Sequence, residues 1–236
     1  MSNEVLLVLS ILIIYGSELV FFKVFGKYGL YCFTSIATIA ANIEVLIMVR
    51  AFGMEMTLGN VLFASTFLVT DIVSELYGKE DAKKAVNLGI ATSLVFIVFS
   101  QWWLLYTPAG SDFAMSAMKT IFSNTPRLMI VSMVVYAIVQ RFDVWAYHKW
   151  WDFTEKRFGS KEKYLWVRNN GSTLISQFLN NLLFTFGAFW GIHDIKTLMS
   201  IVVSSYVIFI ITSLADTPFI YLARKIYKKA NLLVEK

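Results

Sequence analysis

The chain is short of nearly everything that water-soluble chemistry draws on. It has one cysteine, Cys32, two histidines, His148 and His193, and only 16% charged residues among 236. One cysteine excludes an internal disulfide, and its place at the start of an apolar stretch points to packing rather than reactivity. The two histidines fall in different loops, and neither HExxH nor CxxC occurs, which excludes the usual zinc sites. No Walker A sequence is present, so the chain is not itself an ATPase. Soluble chains carry about 25% charge; here hydrophobic residues make up 57%, too much to hide in a water-soluble core of this size. No low-complexity tail, long linker or separate soluble domain stands out. The start, MSNEVLLVLS, has neither the basic front nor the small-residue cleavage site of a secretory signal, so the first apolar stretch reads as a retained helix.

What is present is length of apolar run. Seven stretches, Val5–Phe25, Leu30–Val49, Leu58–Leu76, Val86–Tyr106, Leu128–Tyr147, Thr173–Gly191 and Leu198–Leu222, approach or reach the ~20 residues that cross a hydrocarbon core about 30 Å thick. They predict an all-α, polytopic transmembrane bundle of about seven spans, with residues 1–236 forming one integral membrane domain. Lys and Arg sort by alternate loops. Lys23 and Lys27 follow the first stretch, Lys79, Lys83 and Lys84 the third, Lys149, Lys156, Arg157, Lys161, Lys163 and Arg168 the fifth, and Arg224, Lys225, Lys228, Lys229 and Lys236 the last. The other loops hold Arg50, Lys119, Arg127 and Lys196, and Arg141 lies within the fifth stretch. The positive-inside rule then puts the N-terminus outside and the C-terminus in the cytoplasm, as an odd number of spans requires. The net charge of +5 is explained by this orientation, and nucleic acid is not an expected partner. The aromatic, basic link 149–171 is expected at the bilayer interface, with Trp150, Trp151 and Trp166 at headgroup depth.

The functional question therefore moves to polar groups inside the spans, which are expensive and usually face a cavity or the bundle interior. Asn42 and Glu44 lie in the second stretch. Asp71 and Glu75, four apart, share a helical face in the third. Asp143 follows Gln140 and Arg141 in the fifth, Gln177, Asn180 and Asn181 mark the sixth, and Asp216 precedes Pro218 in the seventh. A plainer reading exists for each: the acids can pair with Arg141 or nearby lysines, and the amides can join helices for about 1 kcal/mol apiece. Polar groups in five spans would nonetheless converge if those spans surround one cavity. Glu18, near the end of the first span, is expected to snorkel or pair with Lys23. Ser172 and Thr173 have no histidine near them in sequence, so catalysis finds little support.

Two blocks resemble the queuosine precursor transporter family, also called the vitamin uptake transporter family. The first, Ala40–Gly89, carries Asn42 of an "NI" pair and a "TD…E.YG" signature at Thr70, Asp71, Glu75, Tyr77 and Gly78. The second carries Arg127, Asp143, Ser172–Thr173 and Gln177, and Pro218 adds to the likeness, which runs from about residue 30. The resemblance implies a transporter of a prokaryotic cytoplasmic membrane, without cofactor or metal, that imports 7-cyano-7-deazaguanine and 7-aminomethyl-7-deazaguanine for the queuosine modification of tRNA. Smaller members have six spans and both ends inside; this chain resembles the version with one span more in front. It departs from the pattern at Asn180, where the family commonly has aspartate, and at Ile208, where it commonly has lysine.

The resemblance implies substrate contacts from Asn42, Asp71, Glu75, Arg127, Asp143, Gln177 and Asn180. A carboxylate at Asp71 or Glu75 could accept from N1–H and the exocyclic amine, and the amides could read carbonyl and ring nitrogens. Phe67, Phe178, Phe184 or Trp190 could stack on the flat ring. Other classes are a membrane subunit of a larger uptake complex, a transporter of another purine-like or vitamin-like molecule, a membrane-embedded enzyme, and an assembly protein. Small residues in several stretches leave a dimer open.

Overall fold

A computed structural model describes residues 2–123, 126–159 and 164–234. Lys161, Lys163 and Lys236, which entered the charge pattern, lie outside the described residues. The described chain is an all-α bundle of eight helices with one small hairpin: α1 Asn3–Phe25, α2 Lys27–Glu44, β1 Met48–Ala51, β2 Met54–Thr57, α3 Gly59–Tyr77, α4 Lys79–Trp103, α5 Met115–Ser123, α6 Pro126–Phe158, α7 Leu165–Phe189 and α8 Ile195–Val234. Five helices are long and apolar enough to cross a membrane: α1, α3, α4, the Ile130–Phe158 part of α6 and the Ile195–Ala230 part of α8.

The remaining two long helices, α2 and α7, are more polar because their polar faces turn into the bundle. In α7, Asn169, Asn170, Ser172, Thr173, Ser176, Gln177, Asn180, Asn181 and Thr185 are all buried; in α2, Thr34, Thr38 and Asn42 are. The outside is the reverse. Val5, Val8, Leu12, Ile13, Val20 and Val24 of α1, and Leu94, Val95, Val98 and Phe99 of α4, are exposed, an arrangement suited to a solvent of lipid tails.

α3 occupies the centre and touches α1, α2, α4, α6, α7 and α8. Its neighbours supply the core, where Tyr15, Leu19, Leu30, Ala37, Leu68, Ile72, Val86 and Ile220 pack together. Asn3 donates to the Arg50 carbonyl at 2.8 Å, and the Phe52 amide donates to Glu4 at 3.0 Å, so the start of α1 lies beside the hairpin. We call that the hairpin end of the bundle. The opposite, basic end holds the α3–α4 junction, where Gly78, at φ 85°, ends one helix and begins the next. That backbone conformation favours glycine.

The second apolar stretch is shorter as a helix than its sequence suggests. The helix stops at Glu44, and Val49 belongs to β1, which pairs with β2 in the register Met48 to Thr57. The two-residue turn uses Phe52 and Gly53, both at positive φ, the hand that matches a hairpin's twist. The basic link is also shorter than read from sequence: α6 continues to Phe158 and α7 begins at Leu165. Trp150 packs under Gly171, Trp151 lies beneath the Arg168 guanidinium at 4.4 Å, and only Trp166 of the three is strongly exposed.

The α1–α2 turn depends on close approach. A Cβ at Gly29 would stand 2.1 Å from the Phe21 carbonyl oxygen, a backbone atom that cannot step aside alone. Gly29→Ala is expected to cost about 1–3 kcal/mol, the usual range for overpacking, and to lower the thermal midpoint of the detergent-purified protein. A midpoint equal to the parent's would show that the α1–α2 turn can open at no cost.

Candidate functional site

Between the hairpin end and the middle of the bundle lies a cavity lined by five long helices and the start of α3. α2 supplies Thr38, Ala41, Asn42 and Val45, α3 supplies Gly59, Asn60 and Phe63, and α4 supplies Ser93. Ser132, Met133 and Tyr136 come from α6, Asn180 and Phe184 from α7, and Phe209 from α8. The cavity leaves about 50 Å³ open to the centres of water molecules. One water needs roughly 10–15 Å³ on that measure, so the space holds several waters, and a flat bicyclic molecule would have to part the aromatic side chains. Three lining residues carry a buried polar atom with no hydrogen-bond partner among the described residues: Asn42 Oδ1, Asn60 Nδ2 and Tyr136 Oη. Buried polar atoms left unpaired cost about 1–3 kcal/mol each, and a polar ligand or water would relieve that cost. Phe63 meets the Tyr136 ring edge-on at 6.0 Å.

An apolar layer closes the cavity toward the basic end. Phe67, Val135 and Val139 are buried there and pack with Phe63, Val131, Leu179 and Phe184. Beyond it, Gln140 of α6 clamps α3, donating to Thr66 at 2.8 Å and accepting from Thr70 at 3.2 Å.

Next comes a polar layer, about 12 Å along α3 from Phe63 at 1.5 Å per residue. Thr173 of α7 donates to Asp71 Oδ2 at 2.8 Å. Asp143 of α6 faces the Asp71 carboxyl and the Ser176 hydroxyl. Asp71 Oδ1, both Asp143 oxygens, Ser176 Oγ and both ends of the Gln177 amide have no partner of good hydrogen-bond geometry among the described residues, and all are buried. On the α1–α8 side, Asn169 donates to Asp216 Oδ1 at 2.7 Å, while Asp216 Oδ2 and both Glu18 oxygens are buried without a partner. Glu18 therefore does not snorkel toward Lys23; it is fully buried and faces Asp216.

One turn further along α3, Glu75 meets a buried cation. Arg168 of α7 grips it with both arms, at 2.9 Å and 2.7 Å, and the Tyr147 hydroxyl of α6 donates to the same carboxylate at 2.8 Å. Arg168 is fully buried and the Glu75 side chain nearly so. Arg224 of α8 approaches Glu75 to 4.0 Å. Two-armed geometry of this kind is what lets an ion pair exist inside a bundle.

The residues expected from sequence thus fall into separate tiers. Asn42, Asn180 and Phe184 line the cavity. Asp71, Asp143 and Gln177 share the polar layer, and Glu75 lies in the ion-paired tier below. Phe67 is buried between cavity and polar layer. Phe178 is half-exposed and meets Tyr206 edge-on at 5.2 Å, and Trp190 is exposed beyond the end of α7, so neither lines the cavity. Arg127 donates to the carbonyls of Gly187 and Trp190 at 2.8–3.2 Å, closing the C-terminus of α7. Among the described residues Arg141 pairs with none of these acids; it is exposed and bonds Asn87 at 3.1 Å. Sequence reasoning missed Asn60, Phe63, Tyr136, Tyr147 and Asn169 altogether and counted Arg168 as a loop base. The one local signal for Arg168 was the run Arg168, Asn169, Asn170 at the mouth of an apolar stretch.

The family described as "Putative vitamin uptake transporter" matches residues 57–223. A Bacillus subtilis (strain 168) protein described as "Probable queuosine precursor transporter" is 38% identical over 207 residues, covering 88% of each chain. No solved structure matches.

Proposed function

The chain belongs to the vitamin uptake transporter family, and from that premise we propose that it imports queuosine precursors of the 7-deazaguanine type across the cytoplasmic membrane. The observation that carries this reading is the cavity itself, an aromatic slot with unpaired amide and hydroxyl atoms. A deazaguanine offers a flat face and one edge of donors and acceptors. Phe63, Phe184 and Tyr136 would hold the face, and Asn42, Asn60, Asn180 and the Tyr136 hydroxyl would read the edge.

All seven long helices cross the membrane in this reading, with α2 and α7 shielded by their neighbours. The hairpin end, with the N-terminus, faces outside, and the basic end faces the cytoplasm, as the Lys and Arg bias directs. The cavity is then the outward-facing site. The apolar layer, the polar layer and the Glu75–Arg168 pair lie between it and the cytoplasm. Cargo crosses when these tiers open in turn and the cavity closes behind it. Gly89 supports the site from α4, since a Cβ there would stand 2.4 Å from Tyr136 Oη.

The test is uptake of labelled 7-cyano-7-deazaguanine and its aminomethyl relative by cells that can neither make queuosine nor import its precursors. The chain is expected to restore queuosine in tRNA, with guanine and adenine competing poorly. Asn42→Ala and Tyr136→Phe are each expected to raise KM about 5–100-fold, the worth of one buried hydrogen bond to ligand. No restoration by a protein confirmed in the membrane would turn the search to other heterocycles. Unchanged KM in both variants would move the binding site elsewhere.

A further inference from the structure

The polar layer gathers four fully buried acids from four helices. Glu18, Asp71, Asp143 and Asp216 are fully buried, on α1, α3, α6 and α8. The buried cation nearby, Arg168, is engaged by Glu75, which Arg224 also approaches. Lys27 and Asp81, at the heads of α2 and α4, satisfy one another at 3.1 Å. The groups that face Asp71 among the described residues include Asp143 from α6, Asp216 from α8, Glu75 on its own helix, and the Thr173 hydroxyl from α7. Glu18 of α1 extends the set through Asp216.

Two features make this more than a cluster of acids. Asp71 and Asp143 come from different helices, are both fully buried and face one another in the layer, with Asp71 Oδ1 and both Asp143 oxygens bonded to no other described residue. Buried carboxyls that face one another without a cation favour a proton between them over two negative charges. One turn beyond Thr173 on α7, toward the cavity residue Asn180, the Gln177 amide is fully buried with neither end bonded among the described residues, so unpaired polar groups continue from the acid pair toward the cavity.

Building on the transport reading, we propose that import is coupled to protons and that the Asp71–Asp143 carboxyl pair carries the coupling proton. The pair binds a proton from outside when cargo fills the cavity and surrenders it to the cytoplasm when the Glu75–Arg168 tier parts. No covalent bond other than O–H forms or breaks. The proton's own gradient would then let the transporter concentrate a dilute cargo without nucleotide.

The test uses the full-length protein in liposomes with labelled 7-cyano-7-deazaguanine. Acid outside is expected to drive accumulation severalfold above equilibrium, with proton entry in step. Asp143→Asn is expected to lose gradient-driven accumulation and proton entry, and Asp143→Glu, which restores the carboxyl, to regain them. A merely structural role for Asp143 would let Asp143→Asn keep the proton dependence of whatever accumulation remains. In the parent, exchange that runs while accumulation ignores the pH gradient, or follows a sodium gradient instead, overturns the proposal. So does an Asp143→Asn variant that still accumulates in step with protons. A second measurement needs no cargo. Dicyclohexylcarbodiimide reacts with protonated carboxyls in apolar surroundings, and mass spectrometry of the treated protein at neutral pH is expected to place the adduct on Asp71 or Asp143 and to spare exposed Glu80. Absence of adduct on both overturns the coupling whatever the cargo. Adduct in a protein that exchanges no deazaguanine keeps the proton site and overturns the substrate reading.

Discussion

Arg168→Gln is expected to cost the full-length protein about 3–5 kcal/mol, the range for removing one partner of a buried ion pair, and to abolish import. The cost has little to do with the attraction between the two charges. It comes from Glu75, which the substitution strands inside the bundle with the Tyr147 hydroxyl at 2.8 Å and Arg224 at 4.0 Å as its remaining partners among the described residues. The ring of Trp151, on which the guanidinium rests at 4.4 Å, loses its cation as well. Glu75→Gln should cost a comparable amount for the mirror reason. The double variant Glu75→Gln/Arg168→Gln is expected to regain most of the stability, because two neutral amides can bond each other and leave no charge unanswered. Thermal unfolding in detergent gives all four corners of the cycle. Additive losses would mean that the two side chains act independently, and that the pair is not the fastening of the basic end. Recovery of stability without recovery of import would show that the charge pair serves movement as well as structure.

That pair also shows where sequence reading reached its limit. The helices were legible because lipid demands runs of apolar residues, and a run is a local property. That the acids at Asp71, Glu75, Asp143 and Asp216 turn inward was legible too, since charge at membrane depth is expensive, but the structure sets none of them in the cavity wall and divides them between two tiers. The partners were not. Glu75 and Arg168 are 93 positions apart, and Thr173 and Asp71 are 102 apart; nothing in a single chain's spacing says which helices lie side by side. Arg168 was hidden for a second reason. α7 begins three residues before it, earlier than its apolar run, because the polar residues at that end are buried against neighbouring helices rather than wetted by a loop. The hairpin was masked in the opposite way, by apolar residues that look like more helix until Phe52 and Gly53 take positive φ. The split between cavity and acid layer follows from Phe67, which a helical wheel puts near Asp71 and Thr70, yet which packs as a plug with Val135 and Val139.

Asn180→Asp is expected to change which cargo the transporter prefers. Asn180 lines the cavity, and the resembled family commonly carries aspartate at this position. The two deazaguanine precursors differ there in the way that matters: the cyano compound is neutral, whereas the aminomethyl compound carries an ammonium at neutral pH. Unit charges 4 Å apart attract by about 4 kcal/mol at an effective dielectric near 20. Cavity water and the cost of stripping both charges return much of that, so a net gain of about 1.4 kcal/mol, tenfold in affinity, is the reasonable expectation for the aminomethyl compound. The cyano compound should bind less well, because its nitrile would meet a carboxylate in place of an amide that can donate. The ratio of kcat/KM for the two cargoes, measured in competition, would then move by more than tenfold toward the amine. Asn180→Ala separates charge from shape: it should weaken both cargoes and leave their ratio near the parent's. A ratio unmoved by aspartate would place Asn180 away from the position-7 substituent and leave it, with Asn42 and Asn60, against the donor and acceptor edge. A ratio that moves would mean that one residue of the cavity wall sets which precursor is favoured, with the carboxyl layer, about 12 Å from Phe63 along the α3 axis, left to the proton.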